Sequence, residues 1–170
     1  MKKLVALALA ALLCLSLFTA CGNDSDGGKD EAVYDVNEIL RAITEVAEVR
    51  MATDVDDEYM QFIGITDDMY DAYAGSYCPI TPGVDIVLVI QAKSDKVSDV
   101  QSVLERRRQE IFTANENYIG AMRDKAEAGR VVVKGNYVLL VIAGDEGVVE
   151  DEGVEKAYEP IDEAIDKAFN

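Results

Sequence analysis

Between residues 59 and 77 the chain carries four of its eight tyrosines, Tyr59, Tyr70, Tyr73 and Tyr77, interleaved with Asp67, Asp68 and Asp71. The face of an aromatic ring attracts cations, and a phenol adds a polar tip, so tyrosines beside carboxylates form a candidate surface for sugars or cationic ligands. Spacings of three and four residues also suit a helix that packs its rings into a core, and both readings stand. Arg106, Arg107 and Arg108 are the densest basic spot of an acidic chain. They read as solvent-facing partners of Glu105 and Glu110, or as a docking patch for an acidic partner or wall polymer. Cys78 is either a buried strand thiol or a reactive one beside Pro79.

Cys21 has a more specific chemistry. Lys2 and Lys3 form a positive n-region, Leu4 to Phe18 is a nearly unbroken apolar run, and Phe18-Thr19-Ala20-Cys21 closes it. A spanning helix needs about 20 apolar residues. This run is shorter and ends in small residues that a peptidase binds, so it reads as a removed signal. Small residues before a cysteine form a lipobox-like site, and cleavage there gives diacylglycerol on the Cys21 thiol. The alternative is a plain secreted protein with an incidental cysteine. The expected location is the extracytoplasmic face of the cell membrane.

Composition narrows the rest. The chain has 16 basic and 33 acidic residues and no histidine, for a net charge of −17. Loss of Lys2 and Lys3 with the signal would leave 14 basic residues against 33 acidic ones, a net of −19. That opposes nucleic acid, whose binding depends on lysine and arginine displacing counterions, and leaves acyl chains as the route to a membrane. Absence of histidine removes the usual general base and the commonest transition-metal ligand. No phosphate loop and no cysteine pair for zinc is present. Asp54, Asp56, Asp57 and Glu58 resemble the start of a calcium loop, but Tyr59 stands where the sharp turn needs glycine. The expectation is a non-enzymatic domain without metal or cofactor, apart from the lipid on Cys21. Its expected partners are the membrane, through that lipid, and an envelope protein or peptide. A small-molecule, cation or glycan pocket is the alternative, and a carboxylate-based enzyme comes third.

The elements that must position these residues follow from periodicity. Residues 22–32 are rich in glycine, aspartate and serine and read as a tether of roughly 18 Å as a coil. Asp35 and Glu38 have capping-box spacing, and Val36, Ile39, Leu40, Ile43, Val46 and Ala47 share a helical face that ends near Arg50 or Ala52. Within Asp54 to Tyr73, the residues Tyr59, Met60, Phe62 and Ile63, then Met69, Tyr70 and Tyr73, predict one or two short helices parted near Gly64. Gly75–Ile80 predicts an edge strand or bulge because of Pro79, and Thr81-Pro82-Gly83 a turn. Asp85–Ala92 reads as a continuous apolar strand, buried on both faces or at the sheet centre. Ser94 or Asp95 should cap a long helix carrying Val97, Val100, Leu104, Ile111, Tyr118 and Met122 as far as Gly129. Arg130–Lys134 and Tyr137–Ala143 form a hairpin about Lys134-Gly135-Asn136. An acidic loop, 144–153, leads to a last helix kinked or restarted at Pro160.

The lipoprotein signal, the Asp-rich tether, the apolar strand before a long charged helix, Asn117-Tyr118 and the run Val131-Val132-Val133-Lys134-Gly135-Asn136-Tyr137-Val138 have a counterpart. Together they resemble a family of secreted lipoproteins of low-GC Gram-positive bacteria, the domain of unknown function 4358, over most of residues 33–169. The resemblance implies no activity and carries over no catalytic residue. The expected plan is a signal peptide at 1–20, a lipidated cysteine and tether at 21–32, and a single α+β domain at 33–170. That domain should hold a mainly antiparallel sheet of about four strands in two hairpins, packed with about three main helices.

Overall fold

Ile86, Val87, Leu88, Val89 and Ile90 are each at most 1% exposed, and a strand with no wet face must be covered by helices on both sides. In the computed structural model, which describes residues 33–47, 49–118 and 120–170, that strand is the middle of five. The elements in chain order are α1 (Val36–Thr44), β1 (Thr53–Asp54), α2 (Asp57–Ile63), β2 (Tyr70–Tyr77), β3 (Ile86–Ala92), α3 (Val97–Asn115), α4 (Ala121–Ala128), β4 (Arg130–Lys134), β5 (Tyr137–Ile142), α5 (Glu146–Glu152) and α6 (Val154–Ala168). The sheet order is β1-β2-β3-β5-β4, antiparallel throughout. The expected signal peptide, lipidated Cys21 and tether, residues 1–32, lie outside the described residues. No described helix is long and apolar enough to cross a membrane.

Alternation divides the core into two layers. Ile86, Leu88 and Ile90 turn to one side with Val138, Leu140 and Ile142, where α2 supplies Met60 and Ile63 and α3 supplies Val100, Val103 and Leu104. Val87 and Val89 turn to the other with Leu139 and Val141, against Val36, Ile39 and Ile43 of α1 and Tyr158, Ile161 and Ile165 of α6. Each such side chain contributes about 1.5–3 kcal/mol on burial.

The domain is α+β as expected, with five strands rather than about four and six described helices rather than about three. Thr53–Asp54 adds a short edge strand on Tyr77 and Ser76, so β2 is flanked on both sides at that end. Met69, Tyr70 and Tyr73 do not form a second short helix. Tyr70 pairs with Ala92 and Tyr73 with Ile90, and the register slips between them at Asp71. A bulge adds one residue, so positions three apart fall on the same face of the strand. Helical spacing and a bulged strand are therefore alike in sequence here. Gly75 lies between Tyr73 and Tyr77 on that face, where a Cβ would stand 2.8 Å from Val55 Cγ2 and 2.9 Å from Leu88 Cδ1.

Other boundaries move for local reasons. Asp35 caps α1 by accepting from the Asn37 backbone N–H at 2.7 Å, not through a reciprocal bond with Glu38. The helix ends at Thr44, before the expected Arg50 or Ala52, and Val46 is consequently 46% exposed rather than on the buried face. Neither Ser94 nor Asp95 caps α3, whose N-cap is Lys96. The chain breaks between α3 and α4, with Gly120 at φ +92°, so Tyr118 leaves the apolar stripe and is 41% exposed. The acidic stretch after Gly144 is a helix, because Asp145 Oδ1 accepts from Val148 N–H at 2.9 Å and Val149 is buried beneath it. Pro160 sits within an unbroken α6.

Candidate functional site

The segment from Tyr59 to Tyr77 divides between two places. Tyr59 on α2 and Tyr77 at the end of β2 bring their ring centroids to 4.4 Å. Asp56 fixes the start of α2 by accepting from Tyr59 N–H at 2.8 Å, which aims Tyr59 at the sheet. Phe62, one turn on, lies 6.2 Å from Tyr59. These three rings, with Ile80 and Ile111, line a cleft of about 590 Å³ between α2, the 78–83 loop and α3. Tyr70 and Tyr73 stack edge-on elsewhere at 5.2 Å, and Tyr73 donates to Asp57 Oδ1 at 2.6 Å. Burial first, and that bond second, push the Tyr73 phenol above its ordinary range. The pair locks β2 to the start of α2 and contributes nothing to the cleft.

The three arginines also separate. Arg106 donates to the Ile63 carbonyl at 2.9 Å and so caps the C-terminal end of α2, beside Gly64 in its left-handed turn. Arg108 donates to Glu105 at 2.9 Å. Arg107 alone faces the cleft. Its guanidinium carbon stands 5.4 Å from the Phe62 ring centroid and 5.8 Å from that of Tyr59, and it donates to the Tyr59 hydroxyl at 3.4 Å and to Glu110 at 3.3 Å. Burial raises the Tyr59 phenol above its ordinary value, and the neighbouring guanidinium opposes the shift. Asp56, Glu58 and Glu110 supply three carboxylates to the walls against this one cation.

Cys78 is 8% exposed and lies one residue beyond β2, its N–H bonded to the Asp85 carbonyl at 2.9 Å. The following loop folds back over the thiol so closely that a Cβ on Gly83 would be 2.7 Å from Sγ. Two of the four calcium-like carboxylates are engaged locally, Asp56 as a cap and Asp57 by Tyr73, and among the described residues no three acidic or cysteine side chains converge as a metal site would require.

A second constellation was not anticipated. Lys125 and Asp85, whose side chains are 1% and 2% exposed, pair at 2.6 Å beneath α4. Lys125 Nζ also reaches the Gly144 carbonyl and Glu146 Oε1, each at 3.4 Å. Arg50 closes the group, 3.8 Å from Asp85 and 3.1 Å from Glu146, at the wall of a cleft of about 580 Å³. Two sequence signals point to it. Asp85 stands immediately before the apolar run Ile86–Ile90 of β3, and Lys125 falls four residues after Ala121 on the inner face of α4. Two cations and two carboxylates in mutual contact leave the Lys125 amine with its donors already directed at oxygen.

Comparison with known proteins gives one family: the model for a domain of unknown function (DUF4358) matches residues 45–143. That span runs from the end of α1 through β5. It contains all five strands, the whole aromatic cleft, and Arg50, Asp85 and Lys125, while Glu146 and α6 lie beyond it. No curated protein and no solved structure matches the chain.

Proposed function

The chain belongs to the DUF4358 family of unknown function, and on that premise we propose that it is a lipid-anchored, extracytoplasmic accessory domain that binds a ligand or peptide in its aromatic cleft without catalysing a reaction. The carrying observation is the convergence of Tyr59, Phe62 and Tyr77 with Arg107 at one cleft inside the family-matched span. Concave sites with apolar walls and a few convergent polar groups are where ligands bind. The anchoring half rests on the sequence of residues 1–21. The absence of histidine and the engagement of Lys125 by Asp85 and Glu146 favour binding over catalysis.

Each half has its own measurement. Cys21→Ser is expected to accumulate as unlipidated chain that incorporates no labelled palmitate; normal labelling of that variant would remove the anchor. For the cleft, thermal-shift screening of the full chain with calcium, sugars and peptides should find one class that raises Tm. A ligand at a hundred times its Kd stabilises by about 2.7 kcal/mol, or roughly 5 °C or more for a domain of this size. Phe62→Ala, a change at a 72% exposed side chain, should abolish most of the shift. A shift undiminished in Phe62→Ala would place binding elsewhere.

A further inference from the structure

We infer that the occupant of the cleft is a basic polypeptide segment, which sets a lysine or arginine side chain against Glu58, beside Asp56, and an apolar side chain against Phe62 and Ile80; this rests on the cleft being the binding site. Charge supplies the first argument. Three carboxylates meet one guanidinium on the walls. Glu110 is shared by Arg106 and Arg107 and Asp56 spends one oxygen on the Tyr59 N–H, so Glu58 is the carboxylate that faces the cleft without a cation among the described residues, and the wall stays net negative. The surrounding chain carries −17, so the long-range field draws in cations and repels acidic chains. An acidic partner for residues 106–108 finds little to hold, since Arg106 is spent on Ile63 and Glu110 and Arg108 on Glu105.

Exposure supplies the second argument, and it selects a polypeptide over a small cation. Phe62 is 72% exposed and Ile80 43% exposed, although both belong to the cleft walls. A molecule confined to the cavity would leave most of that apolar rim wet. A chain that continues past the rim covers it, and covering exposed apolar surface beside complementary charge is how such patches become interfaces. Arg107 lies over the Phe62 ring and helps to hold it in place for a partner.

The test uses the full chain in phosphatidylcholine nanodiscs, with empty discs as the blank, and fluorescein-labelled degenerate octapeptides read by anisotropy. One pool alternates Lys or Arg with Leu, Ile, Val or Phe. A second replaces the basic positions by Glu or Asp, and a third pairs Lys with Ser. The basic–apolar pool should bind about tenfold more tightly than either other pool. Phe62→Ala and Glu58→Lys should each weaken it about fivefold. Glu163→Lys, the same change of net charge in the separate groove between α1 and α6, should leave it within about twofold. Equal binding of the Lys–Ser pool, or equal loss in Glu163→Lys, would reduce the effect to net charge and overturn the inference. Preferential binding of the acidic pool, lost in Phe62→Ala, would keep the cleft as a binding site and reverse its ligand class. No binding by any pool would overturn the basic-segment inference alone, because the thermal-shift screen decides independently whether the cleft binds something else. N-acetyl-lysine methyl ester competing as well as the basic pool would show that the occupant is a small cation, which also overturns it.

Discussion

Replacing Lys125 with alanine is expected to destabilise the domain by about 3–5 kcal/mol, since it strands a buried carboxylate. Asp85 would keep only the Arg50 guanidinium at 3.8 Å and the Arg50 backbone N–H at 3.4 Å, in a site where its side chain is 2% exposed. Total stabilities of about 5–15 kcal/mol make this a large fraction. Urea unfolding, followed by circular dichroism, measures it. Lys125→Met restores most of the lost volume and none of the charge, so it should remain costly. The double change Asp85→Leu with Lys125→Met removes both ions and should recover most of the loss, as apolar replacement of a buried pair often does. A single Lys125→Met variant within about 0.5 kcal/mol of the parent would mean that water reaches Asp85 and that the pair is no lock.

That pair shows where sequence reasoning reaches and where it stops. The apolar strand β3 and the hairpin of β4 and β5 were legible because runs of β-branched residues between turn signals admit few other structures. The first helix and the last were legible from their stripes. The second strand was legible only at its end, Gly75–Tyr77, where it is an inner strand and stops before Pro79; its first half was not, because the bulge at Asp71 gives Tyr70 and Tyr73 a helical spacing. The acidic stretch after Gly144 was not, because a single buried Val149 leaves almost no periodicity to read.

The site divides in the same way. The tyrosine-rich segment contained two true members, Tyr59 and Tyr77, but Tyr70 and Tyr73 turn to Asp67 and Asp57 instead. Of three adjacent arginines, helical geometry spreads the side chains about 100° apart, and only Arg107 meets the rings. Phe62 reads in sequence only as part of a short helix, since exposure cannot be read from one residue. Asp85 and Lys125 are separated by 40 residues, and no local pattern announces a pairing at that distance.

Tyr137→Ala is the second large effect, an expected loss of about 3–5 kcal/mol for deleting a buried aromatic side chain. Tyr137 is 1% exposed and performs two tasks. Its ring lies 5.8 Å from Tyr34 and 5.4 Å from Phe169, both edge-on. Its hydroxyl accepts from the Tyr34 backbone N–H and donates to the Tyr34 carbonyl, each at 2.8 Å. Tyr34 in turn donates from its own hydroxyl to the Phe169 carbonyl at 3.0 Å. One phenol on β5 therefore fastens the segment before α1, and through it the end of α6. Tyr137→Phe separates the tasks. The ring stays, two backbone groups of half-buried Tyr34 lose their partner, and the cost should fall to about 1 kcal/mol because water can replace part of the bond. The same variant should sharply increase proteolytic cleavage near residues 33–35 while leaving cleavage elsewhere unchanged, since α1 is still held by Ile39 and Ile43 in the core. A Tyr137→Phe protein with parental stability and an unchanged cleavage pattern would show that the hydroxyl is incidental and that packing of the three rings alone holds the two ends together.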